Sequence, residues 1–249
     1  MTLRGLGLFF ARDYPILFRR LLPYVACSFL VFVAGGALGA LLTLVRPSFM
    51  RAFLGPQMVY TIEHHTMWTE SIVTVSPQAS AAIATNNISV TFMTFAGGVT
   101  GGLGTLWLLF ENGLMMGVIS TACAQQQMSL NLWSFVAAHG SLELPSIFIA
   151  GGAGLRLGWA LVSPGVLRRS DALAVAGAEA IRLLLGTTPL LLVAGLLEAF
   201  LSPSSAPVME KFAVGAALFS LLTFWLGFSR WSTEDESREA RAVRAFRAL

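Results

Sequence analysis

Long apolar runs separated by short polar punctuation organise this chain. Tyr24–Val45 carries no charge, none occurs from Ser71 to Phe110, and none occurs from Asn112 to Leu142. About 20 apolar residues cross a ~30 Å hydrocarbon core, so runs of this length read as membrane spans. Spanning backbone must satisfy its own hydrogen bonds, and apolar runs of this length do so as helices. The expected fold is all-α: a polytopic transmembrane helical bundle. Spans are expected at Tyr24–Val45, at Ile88–Phe110 behind the polar pair Asn86-Asn87, within Leu132–Val162, at Arg182–Phe200 and at Lys211–Ser229. Glu111-Asn112-Gly113 has helix-ending chemistry and is expected to close the second span. Leu114–Ala124 is short for a crossing. The chain therefore makes about six spans, the preferred count, or four spans plus a re-entrant hairpin at 113–160.

The flanks complete this organisation. Residues 1–23 carry Leu3, Leu6, Phe10, Tyr14, Leu17 and Leu21 at helical spacing. They predict an interfacial amphipathic helix, lying apolar face down on the membrane or packing on the rest of the protein. The first apolar run exceeds the roughly 7–15 residues of a signal-peptide core, so an uncleaved anchor is expected. Residues 24–229 form the transmembrane domain. Within it, 46–85 is an extracytoplasmic connection interrupted by Pro47, Pro56 and Pro77. A short helix is expected over 57–70, with Met58, Ile62 and Met67 or Trp68 as its stripe. Residues 163–182 read as a polar basic loop, and 230–249 as a charged cytoplasmic tail.

Composition narrows the class. The chain is 55% hydrophobic and only 12% charged, against about 25% charged in soluble domains. Its net charge of +3 and basic isoelectric point do not point to nucleic acid, because the arginines cluster beside apolar runs. Arg4, Arg12, Arg19 and Arg20 precede the first, Arg168, Arg169 and Arg182 lie later, and Arg230, Arg238, Arg241, Arg244 and Arg247 follow the last. That distribution obeys the positive-inside rule. It predicts a protein with the lipid bilayer as its surroundings and both termini cytoplasmic. Cys27 and Cys123 stand in apolar stretches and read as inert packing residues.

Two constellations bear on chemistry. Gly97-Gly98 and Gly101-Gly102 stand four apart, and Gly113/Gly117 and Gly154/Gly158 repeat the interval. Small residues at this spacing let helix backbones approach, within one chain or across a homodimer seam. A phosphate loop is excluded, because no Gly-Lys-Ser/Thr follows. His139 and Glu143 share one helix face deep in an apolar run. A charged side chain at mid-bilayer costs roughly 2.5–3.5 kcal/mol, so neither should face lipid. Pro145 frees a carbonyl near Ser141. The pair could serve a proton relay, a cation or a polar ligand, or could join Asn86, Asn87 and Arg156 in a structural network fixing helix register.

Catalysis is not indicated. His-Gly-Ser-Leu-Glu lacks the second histidine of a helical zinc motif, and Ser141 has no Gly-x-Ser-x-Gly context. Glu63, His64 or His65 and Glu70 read as a solvated loop in preference to a surface metal set. No metal site or cofactor is expected. Glu111 and Glu198 end spans, with Glu111 solvated at the inner interface and Glu198 within reach of Lys211.

The string ATNNISVTFMTFAGGVTGGLGTLWLLFENGLMMGV, then AAHGSLELPSIFIAGGAGLRLG and the Glu-Ala-Phe-x-Ser-Pro element at Glu198–Pro203, closely resemble the stage II sporulation protein M family. The resemblance covers roughly residues 80–203. It implies an integral inner-membrane protein that, in spore formers, recruits peptidoglycan-degrading partners during engulfment; relatives also occur in bacteria that do not sporulate. It marks Asn86, Asn87, Glu111, Asn112, His139, Glu143, Arg156 and Glu198 as the polar core of the motif. The expected function is a non-enzymatic membrane scaffold or envelope-remodelling partner. The alternative is a transporter or channel for an ion or small polar solute using the His139–Glu143 face.

Overall fold

The computed structural model describes residues 3–67 and 77–228, and among these every regular element is helical. Helices α1 (Leu3–Leu8) and α2 (Tyr14–Arg20) flank a π-helical turn at Phe9–Asp13. They are followed by α3 (Leu22–Val45), α4 (Pro47–Glu63), α5 (Pro77–Ala96), a 3-10 turn at Gly97–Thr100 and α6 (Leu103–Gln125). Then come α7 (Ser129–Val162), α8 (Arg169–Leu196), a π-helical turn at Leu197–Leu201, and α9 (Val208–Phe228). Five of these, α3, α6, α7, α8 with its π turn, and α9, are long and apolar enough to cross a membrane. The less apolar α5 packs along α6 and α7.

The chain reverses at Gly97–Gly102, and not at Glu111–Gly113 as expected. Gly101 and Gly102 take φ of +71° and +92°, left-handed values that glycine adopts without steric cost. Asn112 instead folds its amide back to donate to the Leu108 carbonyl at 2.7 Å, so the helix continues through it. Gly113 serves close packing, since a Cβ there would strike the Phe32 backbone. The expected span Ile88–Phe110 is therefore split between α5 and α6. Leu114–Ala124 completes α6, and Leu132–Val162 lies within one helix that runs unbroken past Pro145. No re-entrant arm forms at 113–160. The basic loop is also shorter than expected: α8 begins at Arg169, and Arg182 lies inside it.

Helix α7 is central, packed against α3, α5, α6, α8 and α9. Its antiparallel partner α8 is registered by Arg156 Nε, which donates to Glu179 Oε2 at 2.8 Å. Arg20 pairs with the same carboxylate. The most extensive contact is between α3 and α6, which run parallel: Gly35 faces the Phe110 backbone, Gly39 faces Leu114 and Gly117 faces Gly36. A spacing of four residues on both helices lets carbonyls of one lie where side chains of the other would otherwise stand.

The amphipathic N-terminal stretch settles onto the bundle. Tyr14, Leu17 and Leu21 are buried, while Leu6 and Leu8 stay exposed. The Tyr14 ring stacks on Trp225 at 5.1 Å, and Trp225 Nε1 donates to the Phe10 carbonyl at 2.8 Å. Helix α4 replaces the shorter helix expected over 57–70 and kinks at Gly55 (φ +75°) before Pro56. Its Ile62, with Met67, packs on Ala122, Cys123, Met128 and Leu132, covering the α6–α7 connection. Cys123 is buried there, whereas Cys27 is exposed. The expected roles of the Trp68 side chain, Glu70 and the tail 230–249 lie outside the described residues.

Candidate functional site

The central helix brings His139 and Glu143 to one face, one turn apart, and both are buried. They line a cavity of about 210 Å³ together with Asn86 and Asn87 of α5 and Asn112 of α6. Its remaining wall is apolar, including Phe32, Val90, Met116 and Ile147. Register between α5 and α7 comes from glycine. A Cβ at Gly98 would meet the Gly154 backbone, and one at Gly158 would meet Gly101 and Gly102. Thr105 Oγ1 closes the α5–α6 hairpin by donating to the Thr94 carbonyl at 2.7 Å.

A further carboxylate enters from the end of α8. There the helix widens into the π turn, with Ser202 N donating to the Leu197 carbonyl at 2.8 Å. A π turn shifts the side chains that follow around the helix axis and is frequent at functional sites. Glu198 is consequently buried beside Glu143. Asn87 Nδ2 donates to both Glu198 oxygens at 3.1 Å. One ring nitrogen of His139 and one oxygen each of Glu143 and Glu198 lie within 4.8 Å of one another. His139 Nδ1 stands 2.8 Å from Ser202 Oγ, and the Phe135 ring meets the imidazole edge-on at 5.4 Å.

Six of the eight polar residues singled out in the sequence thus converge: Asn86, Asn87, Asn112, His139 and Glu143 on the cavity, with Glu198 against them. Two do not. Arg156 stands 17 residues beyond His139 on the same helix, about 25 Å away, and pairs with Glu179. Glu111 is exposed on α6, about 12 Å into that helix, and not at a span end. Lys211 does not pair with Glu198. Its ammonium donates to the Ser202 and Ser204 carbonyls, each at 2.8 Å, just past the end of the π turn that carries Glu198.

Ser202 and Glu179 went unrecognised in the sequence. Ser202 had a signal: it follows Glu198 by four residues, the interval that joins His139 to Glu143. Glu179 had none, being one acidic residue in an alanine-rich stretch.

No curated protein and no solved structure matches this chain. The Stage II sporulation protein M family matches residues 28–203. That stretch begins inside α3, ends just past Ser202, and contains every polar residue of the cavity. A match of this extent shows that the chain belongs to the Stage II sporulation protein M family, as a helical, multi-pass membrane protein.

Proposed function

We propose that this protein is a non-enzymatic scaffold of the bacterial inner membrane that organises envelope or peptidoglycan-remodelling partners through its transmembrane surface. The observation that carries this reading is Glu111. It lies on a face of α6 with Leu103, Trp107 and Met115 at intervals of four, all exposed. No ion pair or hydrogen bond reaches it among the described residues. A charged side chain in hydrocarbon at that depth costs roughly 2.5–3.5 kcal/mol, and a polar group on a partner helix would offset the cost. The partner is an envelope protein or, across the same face, a second copy of the chain.

The polar cavity supports a site in preference to a conduit. From Val136 to Ile147 it follows α7 for about 17 Å, of a hydrocarbon core ~30 Å thick. Beyond it Leu109, Ile149, Ala150 and Ala153 are buried and apolar, and the polar side chains packed at that level, Ser28, Thr94 and Thr105, are neutral hydroxyls. The second reading, ion or solute transport, is favoured only by the His139–Glu143–Glu198 cluster.

Both readings meet in one experiment. In Glu111→Leu we expect a folded, monodisperse protein that no longer co-purifies with peptidoglycan-remodelling enzymes that the wild type retains. We expect no proton or cation flux from wild-type protein in vesicles. Flux that disappears in a well-folded Glu143→Gln variant would overturn the scaffold reading. Orientation has its own check in a cysteine-free background. Gln57→Cys should label from outside the cell and Val166→Cys only after permeabilisation; the reverse pattern refutes cytoplasmic termini.

A further inference from the structure

We propose that His139, Glu143 and Glu198 bind one divalent transition-metal ion, of the zinc and manganese class, at the edge of the cavity. The inference does not depend on the scaffold reading. Helix α7, with two donors, and the π turn that ends α8, with one, bring three donors within 4.8 Å of one another. Metal–ligand bonds of about 2.0–2.2 Å hold donor atoms on one ion roughly 3–3.5 Å apart, so side-chain rotation of about an ångström closes the set.

Charge balance points the same way. Two carboxylates are buried side by side, and no basic side chain pairs with either among the described residues. The cluster's neighbouring cation, Lys211, is committed to backbone carbonyls. Two like charges this close and this buried repel unless a counter-charge offsets them, and a dication balances two carboxylates.

The surroundings are those of a held ligand set. Ser202 orients the imidazole through Nδ1, and Asn87 grips both oxygens of Glu198 while leaving each a second lone pair. Hydrogen bonds of this kind fix ligand orientation around metals. The donor chemistry selects the ion. An imidazole with two carboxylates suits zinc or manganese, whereas calcium and magnesium prefer all-oxygen shells and copper(I) prefers sulfur. The cavity, about 210 Å³, leaves room for water in the remaining positions.

The test counts metal on the full chain. Wild-type protein is stripped with chelator in detergent, exposed separately to Zn²⁺, Mn²⁺ and Mg²⁺, desalted and measured by elemental mass spectrometry. We expect about one Zn²⁺ or Mn²⁺ per chain and no retained Mg²⁺. Glu198→Gln and His139→Gln should each lose at least about tenfold in affinity. Ser202→Ala, which removes no donor, should lose about 10–100-fold. A His64→Asn/His65→Asn double variant, altered in the exposed α4 end, should bind as the wild type does. Circular dichroism and gel filtration establish folding. Should Glu198→Gln or His139→Gln unfold, the wild-type metal count and Ser202→Ala still decide. A folded wild type that retains neither Zn²⁺ nor Mn²⁺, retention of Mg²⁺ in their place, or undiminished binding in folded Glu198→Gln overturns the proposal.

Discussion

Gly117→Leu should separate α3 from α6 and cost at least about 3 kcal/mol, the upper range for overpacking a close-fitted core. A Cβ at this position would meet the backbone of Gly36, and one at Gly113 would meet that of Phe32. Backbone cannot rotate aside as a side chain can, so the helices must part along the most extensive interface of the bundle. The damage should reach the cavity, because Phe32 of α3 and Asn112 of α6 both line it. Thermal unfolding in detergent measures the effect, with Gly7→Leu as control, since nothing lies near a Cβ at Gly7. Equal midpoints for Gly117→Leu and the wild type would show that α3 and α6 do not meet as described.

Tyr14→Ala is expected to be nearly as severe, at about 3–5 kcal/mol for the loss of a large buried aromatic. Tyr14 is fully buried between Trp225, Phe9 and Gly186, where a Cβ on the glycine would enter the tyrosine ring. Its hydroxyl reaches no hydrogen-bond partner among the described residues, and burial pushes its ionisation far above the usual phenol range. The ring therefore contributes packing, and the oxygen contributes only a desolvation cost. Tyr14→Phe should accordingly be neutral or stabilising by up to about 1 kcal/mol. Opposite signs for the Ala and Phe variants in the same unfolding assay would establish this division. A loss in Tyr14→Phe as large as in Tyr14→Ala would mean that the hydroxyl is bonded after all. The N-terminal segment would then be docked by polarity, and not by ring packing.

Much of this architecture is written in one dimension. Uncharged runs longer than a bilayer is thick demand helices, because lipid offers the backbone no hydrogen-bond partner. The interval of four between His139 and Glu143 sets them on one face whatever surrounds them. The small-residue spacing at Gly113/Gly117 and Gly154/Gly158 likewise marks close backbone approach. What approaches is not written there: α3 meets the first pair, and the 97–102 turn meets the second. Turn chemistry was misleading for a related reason. Glu-Asn-Gly and Gly-Gly both permit a reversal, and the choice falls where two successive glycines tolerate left-handed φ while Asn112 satisfies itself on its own helix. The site depended most on tertiary structure. Glu198 lies 55 residues beyond Glu143, and only the antiparallel return of α8, with a π turn at its end, sets the two carboxylates beside each other. Arg156 shares a helix with His139 and is carried about 25 Å away by the rise of that helix. Local periodicity determined which residues could not face lipid; long-range packing decided which of them face one another.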